Sequence, residues 1–288
     1  MHNGQDKRSS ILITGCSPGG IGNALAREFH QQGLRVFATA RDTGALQSLT
    51  DLGIETLSLV VDDERCVQSC YAEVRARLGE KGLDYLVNNA NGSYIIDYTV
   101  PAMEVDLAEA HATFETNLFA VINMCQTFLP LLKKAQGTIV QIGSVAGVIP
   151  YVFGSVYNAS KAALHSFNDT LKVELAPFGV NVTTIVTGGV QSRIARVKRT
   201  LAPNSLYAPI EDEYNRRVMH SQDGAMPHTV YARSVVTQIL YGTAPWIWEG
   251  SKSWLIWLLS GGWAWTGIFH YTMTRMFKLY KLRKVGEK

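Results

Sequence analysis

Three residues in the middle of the chain have the types and the spacing for proton transfer. Ser144 stands thirteen residues before Tyr157, and Lys161 follows that tyrosine by four residues. Residues four apart on a helix share one face, so the ammonium of Lys161 is expected beside the phenol of Tyr157. A nearby positive charge favours the phenolate and lowers the pKa of the phenol. Such a phenol suits proton exchange near neutral pH, as the reduction of a carbonyl by hydride requires.

A glycine-rich turn near the N-terminus supplies a second signal, which is needed because a tyrosine–lysine pair also occurs on ordinary helix surfaces. The apolar run 11–14 leads into this turn, and an amphipathic helical pattern follows it. Glycines let the backbone approach a pyrophosphate, and the N-terminus of a helix presents unpaired N–H groups to the anion. In this context the turn predicts a dinucleotide site rather than a flexible loop. Its expected pyrophosphate contacts are Gly15, Gly20, Ile21 and Gly22.

The elements that position these residues alternate between short apolar strands and amphipathic helices. We predict strands near 11–14, 35–39, 55–61, 84–87, 138–142, 180–186 and 246–248, and helices near 21–32, 64–78, 106–133, 156–176 and 228–241. Such alternation forms right-handed βαβ units and a parallel sheet with helices on both faces. The sequence therefore predicts an α/β fold, a single-domain Rossmann-type doubly wound parallel sheet of about seven strands, followed by a hydrophobic C-terminal helical extension.

The predicted organisation has three parts. Residues 1–10 form a polar, disordered N-terminus without the apolar core of a signal peptide. Residues 11–250 form the nucleotide-binding and catalytic domain, and residues 251–288 form an apolar and basic extension. Within the domain, 188–227 is predicted to be a substrate lid. This stretch is polar, contains three prolines and follows the sixth strand, at the edge of the sheet where substrates bind.

The composition excludes several classes of protein. Apolar residues make up 47% of the chain and charged residues 18%, which indicates a folded protein rather than a disordered one. The net charge of +3 is small and dispersed, so no nucleic acid is expected as a partner. The four cysteines lack the spacing of metal ligands, so we predict reduced thiols and no metal. The histidines, among them His165 and His220, also lack such spacing and are expected to have no special role.

The C-terminal extension allows three interpretations. The 22 residues between Lys252 and Arg275 carry no formal charge and include four tryptophans. Tryptophan is enriched where membranes meet water, and Gly261-Gly262 interrupts the run, which favours an interfacial hairpin. A cap over an apolar substrate pocket is the second interpretation, and a membrane-spanning helix is the third. The first two predict a hydrophobic small-molecule substrate, and the basic residues that follow suit anionic headgroups.

Five motifs in order resemble those of the classical short-chain dehydrogenase/reductase family over roughly residues 9–250. They are the glycine-rich turn 14–22, Asn88-Asn89-Ala90 after the fourth strand, Asn117 in a long helix, Ser144 after the fifth strand, and the Tyr157–Lys161 pair. The resemblance implies an NADP-dependent oxidoreductase that acts on CH–OH groups. Val60 stands where the family usually has an aspartate after the third strand, so Asp62 or Asp63 is expected to make the adenine contact instead.

The resemblance also implies a role for each residue of the site. Tyr157 would donate a proton to the substrate oxygen, and Ser144 would polarise the same carbonyl. Lys161 would hold the nicotinamide ribose and keep the pKa of the tyrosine low. Asn117 would fix a water that relays protons to Lys161, or it is an ordinary asparagine inside a helix. The resemblance implies that Asn89 contacts the adenosine ribose or holds the end of the fourth strand. It places Val190 and Ser192 at the nicotinamide carboxamide.

The end of the second strand favours NADPH over NADH. NAD-selective proteins place an acid there to bind the ribose 2′-hydroxyl, whereas this chain has Ala40 followed by Arg41. A guanidinium binds a 2′-phosphate well, and Ser17 in the turn would assist it. The open alternative is that Arg41 is solvated and Asp42 binds the hydroxyls. We expect NADPH, and therefore the reduction of ketones.

The extended glycine turn, the run 98–102 and the sequence 187–190 are similar to those of fungal 1-acyldihydroxyacetone-phosphate reductases. This resemblance implies a lipid-like ketone, with 1-acyldihydroxyacetone phosphate as one candidate. It also implies a cytoplasmic protein held peripherally on the endoplasmic reticulum or on lipid droplets. A phosphate would need cations, and the candidates are Arg193, Arg196, Lys198 and Arg199, which also fit a solvated helix face.

Two alternatives and one partner remain open. The same residues resemble enzymes of steroid and fungal secondary-metabolite biosynthesis, which reduce ketones or oxidise secondary alcohols. The alternative that is not an enzyme is a membrane adaptor that binds the cofactor and has lost catalytic turnover. Such a protein would not need an intact set of proton-transfer residues. Family habit also implies a homodimer through the helices that carry Asn117 and Tyr157.

Overall fold

Seven parallel strands form the centre of the molecule. The computed structural model describes residues 6–90, 99–192, 200–261 and 268–284. The strands are β1 (Ser10–Ile13), β2 (Arg35–Ala40), β3 (Glu55–Ser58), β4 (Tyr85–Asn88), β5 (Thr138–Ile142), β6 (Asn181–Thr187) and β7 (Trp246–Glu249). Their order in the sheet is β3-β2-β1-β4-β5-β6-β7, and each neighbouring pair is parallel. This order confirms the predicted doubly wound α/β sheet.

Helices cover both faces of the sheet. One face carries α1 (Ile21–Gln31) and α8 (His228–Tyr241), and the other carries α3 (Glu64–Leu78), α5 (Ala120–Ala135) and α6 (Ser155–Leu175). The other α-helices of the described residues are α2 (Gln47–Thr50), α4 (Leu107–Phe114), α7 (Glu211–His220), α9 (Ser253–Ser260) and α10 (Ile268–Met276).

The first strand shows why a central parallel strand is apolar throughout. Ile11 and Ile13 point into the core beneath α1 and α8, whereas Leu12 points into the opposite core beneath α3, α5 and α6. Successive side chains of a strand alternate between the two faces, and helices cover both faces here. Each of these side chains is fully buried, which stabilises the fold by about 2 kcal/mol per residue.

After β3, at one edge of the sheet, the chain returns to the centre and places β4 beside β1. The strand order reverses there, so the loops that follow these two strands diverge and leave a crevice at the carboxyl edge. The glycine-rich turn follows β1, and Asn89 follows β4. The topology therefore brings the predicted nucleotide-binding residues to the crevice in which α/β sheets bind ligands.

The structure differs from the predicted elements in three places. The helix predicted at 106–133 is divided, because a π-helical turn at Glu115–Phe119 separates α4 from α5. The strand predicted at 55–61 ends at Ser58, and Asp63 begins α3 by accepting hydrogen bonds from two backbone N–H groups. The stretch predicted as a polar lid contains a regular helix, α7.

The C-terminal helices pack against the rest of the molecule. Met273 of α10 and Phe277 share a small apolar core with Ile149, from the loop between β5 and α6. Glu213 of α7 forms ion pairs with Lys278 at 2.5 Å and with Lys281 at 3.7 Å. Its hydrogen bond with Lys278 holds the pKa of the Glu213 carboxyl below its ordinary value. Two basic residues of the tail therefore pair within the protein, where the sequence suggested lipid headgroups.

A further finding concerns the helices themselves. Within the described ranges, no helix combines the length and the apolar character that crossing a bilayer requires. The two helices of the extension, α9 and α10, have 8 and 9 residues.

Candidate active site

Tyr157 and Lys161 lie on the first turns of α6 and line the same cavity. The Nζ atom of Lys161 is 5.8 Å from the centre of the Tyr157 ring. It donates a hydrogen bond of 3.1 Å to the carbonyl oxygen of Ile142, at the end of β5. Burial lowers the pKa of the Lys161 ammonium to about 8. The structure thus brings together the cation and the phenol that the spacing predicts.

Ser144 begins a short 3-10 turn directly after β5 and lines the cavity with Tyr157. Its Oγ accepts a hydrogen bond of 3.1 Å from the N–H of Ala146. Its own N–H donates a hydrogen bond of 3.3 Å to Nε2 of His165 on α6. Because Oγ accepts from the backbone, its own proton stays available for a second acceptor in the cavity.

His165 supports this serine from α6. Burial, followed by the charge of Lys161, lowers the pKa of its imidazole to about 4, so Nε2 is an acceptor at neutral pH. The ring packs edge-on against Trp246 at 5.3 Å, and a Cβ atom at Gly143 would overlap it. The expectation that His165 has no special role is wrong. A signal existed, since His165 follows Lys161 by four residues on the same helix face.

Asn117 lies in the π-helical turn between α4 and α5 and is buried. Its Nδ2 donates a hydrogen bond of 3.1 Å to Oγ of Ser160, which donates one of 2.8 Å to the carbonyl oxygen of Tyr157. A π-helical turn widens the helix locally, and such turns are frequent at functional sites. The turn therefore fixes the α6 backbone between Tyr157 and Lys161. The predicted water relay through Asn117 stays a prediction.

The cavity has one polar end and one apolar end. Its volume is about 280 Å³, and Ser144, Tyr157 and Lys161 line it together with Val190 and Ser192. The apolar end consists of side chains from α9 and α10. They are Leu255, Ile256, Leu259, Phe269, Met273 and Met276. These contacts correspond to the second interpretation of the extension, a cap over an apolar pocket.

The two residues expected at the carboxamide are held by the backbone that follows β6. Val190 is buried and forms an isolated bridge with Met226. The N–H of Ser192 donates a hydrogen bond of 3.1 Å to the side-chain oxygen of Gln222. Thr187, at the end of β6, shares a buried hydrogen bond of 2.7 Å with the hydroxyl of Tyr231. These contacts fix the wall of the cavity beside Tyr157.

The glycine-rich turn is packed so closely that side chains would not fit. Gly15 has a φ of +75°, and a Cβ atom there would lie 2.8 Å from Cα of Ala90. A Cβ atom at Gly22 would lie 2.5 Å from Nδ2 of Asn89. Asn89 itself donates hydrogen bonds to the carbonyl oxygens of Thr14 and Gly15, at 2.8 and 3.0 Å. Asn89 therefore fixes the turn from β4, in agreement with its expected role of holding that strand's end.

The N-terminus of α1 is arranged to receive an anion. Gly20 precedes the helix, and no side chain caps it. The first N–H groups of a helix have no partner within the helix, and the helix dipole places positive charge at this end. Ile21 lines the large cavity next to the turn. The backbone here fits the pyrophosphate of a dinucleotide.

The residues expected at the adenosine end lie on exposed loops at the carboxyl edge. Ser17 and Arg41 follow the adjacent strands β1 and β2, and the N–H of Cys16 donates a hydrogen bond of 2.7 Å to Thr39. The structure thus holds these two loops together. Asp62 is exposed in the turn before α3, and Asp63 is the residue that caps α3. The structure does not tie Asp62 to the other two loops.

Sequence reasoning missed three basic residues that line the cavity, namely Arg217, His220 and Lys252. Arg217 is fully buried on α7, and His220 shares a hydrogen bond of 2.6 Å with the hydroxyl of Tyr151. A signal existed for the arginine, because Ile210, Tyr214 and Val218 place it on the apolar face of a helix. A cation on such a face requires a partner or a ligand. The predicted phosphate-binding cations Arg193, Arg196, Lys198 and Arg199 lie outside the described residues.

Within the described ranges, no group of three or more histidine, cysteine, aspartate or glutamate side chains is arranged to hold a metal ion.

Comparisons with known proteins agree with this geometry. Residues 9–201 match the sequence profile described as short chain dehydrogenase. The chain is 43% identical over 205 residues to an NADPH-dependent 1-acyldihydroxyacetone phosphate reductase from Schizosaccharomyces pombe, over 69% of this chain and 68% of that protein. It is 38% identical to the short-chain dehydrogenase virD from Hypocrea virens, over 94% and 93% of the two chains. Among solved structures, a short-chain dehydrogenase from Streptomyces avermitilis superposes with a TM-score of 0.75 at 25% identity, over 98% and 99% of the two chains.

Proposed function

This chain belongs to the short-chain dehydrogenase family, and from that premise we propose that it reduces the ketone of an apolar substrate with NADPH. The observation that carries the proposal is a single cavity with two ends. Ser144, Tyr157 and Lys161 line one end, and apolar side chains of α9 and α10 line the other. A cavity of this kind suits a molecule that carries a carbonyl group on a hydrophobic body.

The polar end holds the groups that carbonyl reduction requires. Bound NADPH supplies the hydride. Tyr157 donates its phenolic proton to the carbonyl oxygen, and Oγ of Ser144 donates a hydrogen bond to the same oxygen. Two donors aimed at one oxygen stabilise the negative charge that develops there, so the ketone leaves as a secondary alcohol. The ammonium of Lys161 favours the phenolate that remains on Tyr157.

The turn after β1 and the N-terminus of α1 would hold the pyrophosphate. Gly15 and Gly22 have no room for side chains, and the uncapped helix that follows Gly20 offers N–H groups to an anion. Val190 and Ser192 would orient the nicotinamide from the cavity wall, and Lys161 would bind its ribose hydroxyls. Asn117 would support Lys161 through the turn that it fixes.

NADPH is favoured over NADH by the arrangement after β2. Arg41 is exposed at the carboxyl edge, next to the turn that carries Ser17. Asp42, the alternative ligand for ribose hydroxyls, accepts a hydrogen bond of 2.8 Å from the N–H of Gly44 and so begins the next turn. A guanidinium there recognises the 2′-phosphate. The name of the Schizosaccharomyces pombe relative, an NADPH-dependent reductase, supports the same choice.

The same relative supports a lipid-like substrate, and 1-acyldihydroxyacetone phosphate is the first candidate to test. The apolar cap over the cavity favours such a molecule over a small polar one. The alternative is a bulky ketone or secondary alcohol of steroid or secondary-metabolite biosynthesis, since the cap accommodates any hydrophobic body. A homodimer through the helices that carry Asn117 and Tyr157 stays a prediction.

We also propose that the outer face of the cap attaches the protein peripherally to a lipid surface in the cytoplasm, on the endoplasmic reticulum or lipid droplets. Trp254 and Trp257 of α9 are 63% and 57% exposed, whereas Leu255, Ile256 and Leu259 of the same helix line the cavity. Exposed tryptophans favour the boundary between lipid and water. One helix would thus cover the substrate and contact the surface that supplies it.

The test of the proposed activity is NADPH consumption in the presence of candidate ketones. We expect oxidation of NADPH with 1-acyldihydroxyacetone phosphate or a bulky hydrophobic ketone, much slower turnover with NADH, and loss of turnover in Tyr157→Phe. Retained NADPH binding by that variant would show that its site is intact. Full turnover in Tyr157→Phe, or the absence of any nicotinamide nucleotide binding, would refute the proposal.

A further inference from the structure

The substrate cavity contains a buried cation that the proposed reduction does not use. Arg217 of α7 is 1% exposed and lines the cavity near its capped end. Its Nε donates a hydrogen bond of 2.9 Å to the carbonyl oxygen of Val152, and its guanidinium lies 3.5 Å from the centre of the Tyr151 ring. These two contacts fix the plane of the guanidinium.

One end of this guanidinium lacks a partner. Nη1 is buried and has no hydrogen-bond partner among the described residues. The second terminal nitrogen, Nη2, lies near Gly154. A Cβ atom added at Gly154 would lie 3.2 Å from Nη2 and 3.1 Å from Oδ1 of Asn158. The ion pairs found within the described ranges do not include Arg217. Among the described residues, the buried charge of Arg217 therefore has no ion-pair partner.

An arrangement of this kind is costly unless something compensates it. Buried charges are normally paired, because removing an ion from water costs several kcal/mol. Buried polar atoms are normally hydrogen-bonded, so an exception at a cavity wall calls for a compensating ligand, ion or water. A guanidinium presents several N–H donors in one plane, which matches the oxygens of a phosphate or a carboxylate.

The neighbouring side chains also favour an anion. His220 shares a hydrogen bond of 2.6 Å with the hydroxyl of Tyr151, beneath the guanidinium. Burial lowers the pKa of His220, and the charges of Lys252, Arg217 and Arg216 lower it further. Asp223 acts in the opposite direction. Of these groups, Arg217, His220, Lys252 and Asp223 line the cavity. This part of the cavity therefore has two cations, Arg217 and Lys252, and one carboxylate, that of Asp223.

We propose that Arg217 is the anion-binding subsite of the substrate cavity, and that the substrate carries a phosphate or a carboxylate together with its apolar body. The inference rests on the proposed function, since it assumes that the cavity takes the ketone. The carbonyl group then lies at Ser144 and Tyr157, the apolar body lies under α9 and α10, and the anionic oxygens accept hydrogen bonds from the guanidinium of Arg217.

The test compares three simple ligands with one chain length on the wild-type protein with NADPH bound. Decyl phosphate, decanoate and decanol are titrated, and binding is followed by the shift in melting temperature and by competition with a neutral ketone. We expect one of the anions to bind at least about tenfold more tightly than decanol, as is usual for a hydrogen bond to a charged group. Comparison of decyl phosphate with decanoate shows which of the two anionic groups the site prefers. Equal binding of all three would overturn the inference.

Two variants locate the effect. Arg217→Met should abolish the preference for the anion and leave the affinity for decanol unchanged, whereas Arg216→Met is the matched control. Arg216 is an adjacent, exposed cation on the same helix, so its loss should leave the preference intact. Equal loss in both variants would overturn the inference. If Arg217→Met does not fold, the wild-type comparison decides alone.

The outcome is separable from that of the proposed function. Reduction of neutral ketones without any preference for anions would overturn only the anion subsite. Preferential binding of the anion without NADPH consumption by any ketone would uphold the subsite and count against the reductase.

Discussion

The backbone N–H of Ser144 donates a hydrogen bond of 3.3 Å to Nε2 of His165. This bond requires an unprotonated Nε2, and burial together with the charge of Lys161 lowers the pKa of the imidazole to about 4. The turn that presents the serine hydroxyl to the cavity is therefore built on a neutral histidine. Protonation of His165 would place a donor against a donor and bring a second charge close to Lys161.

The first prediction concerns stability in acid. Because the pKa of His165 is about 4 in the folded protein and ordinarily 6.5, its contribution is complete above pH 6.5 and is lost as the pH falls through 4. Linkage gives a loss of about 2 to 3 kcal/mol of unfolding free energy from pH 7.5 to 4.5. Lys161, whose pKa is about 8, stays mostly protonated over this window. Urea unfolding without nucleotide, at both pH values, measures the loss.

The control for this prediction is His165→Gln, whose side-chain oxygen also accepts a hydrogen bond and does not titrate. We expect the variant to lose less stability than the wild type over the same window. Parallel losses in the two proteins would show that His165 is not the group responsible.

The second prediction concerns the proton-transfer pair. Removing a positioned proton donor costs about 10²- to 10⁴-fold in rate, and removing one oxyanion donor costs about 10²- to 10³-fold. We therefore expect kcat to fall by these factors in Tyr157→Phe and Ser144→Ala, respectively. Stopped-flow measurement of NADPH oxidation, with nucleotide binding checked by fluorescence, separates lost chemistry from lost binding. A change in KM alone would contradict the assigned roles.

The third prediction concerns the decline of kcat/KM for NADPH at alkaline pH. Burial lowers the pKa of Lys161 to about 8, so the free protein loses this charge as the pH rises through that value. We expect kcat/KM for NADPH to decline above about pH 8, because kcat/KM reports groups of the free enzyme. In Lys161→Arg the charge persists, so any residual activity should not decline above about pH 8. A wild-type profile that is flat to about pH 9.5 would exclude Lys161 as the titrating group.

The fourth prediction concerns cofactor choice. Arg41 is exposed beside the turn after β1, in position to meet a 2′-phosphate. We expect Arg41→Ala to raise KM for NADPH about tenfold or more and to leave KM for NADH nearly unchanged, because only NADPH carries the phosphate. Asp42→Asn serves as the control for the alternative in which the neighbouring carboxylate binds ribose hydroxyls. Equal effects of Arg41→Ala on both nucleotides would contradict selection by this residue.

The sheet and half of the site were predictable because their signals are local. The apolar runs that became β1 and β5 are short and continuous, and the glycine turn follows β1 directly. Tyr157 and Lys161 are one helical turn apart, so their proximity depends only on α6. The prediction of a parallel, doubly wound sheet also follows from the alternation of strands and helices.

The missed residues depend on contacts between distant segments. The spacing places His165 on the helix face of Lys161, but it does not show that His165 accepts a hydrogen bond from a backbone N–H of the loop after β5. Arg217 lies against Tyr151 and Val152 only because α7 packs against the loop that precedes α6. Helix α7 was not predicted, because its sequence is rich in charged residues and prolines lie on both sides of it. Phe153, from another loop, completes its apolar face. Tertiary packing decides positions of this kind.

The last prediction concerns the lipid surface. Trp254 and Trp257 project outward from α9, while Leu255 and Ile256 face the cavity, so the two functions of the helix can be separated. We expect Trp254→Ser and Trp257→Ser together to weaken flotation with phosphatidylcholine vesicles, since each buried aromatic side chain contributes about 2 kcal/mol at an interface. Turnover of a water-soluble ketone should be unchanged. The matched control is Tyr241→Ser, an exposed aromatic residue on α8, away from the cap. Unchanged flotation of the tryptophan variant, or an equal effect of the control, would exclude α9 as the membrane-binding face.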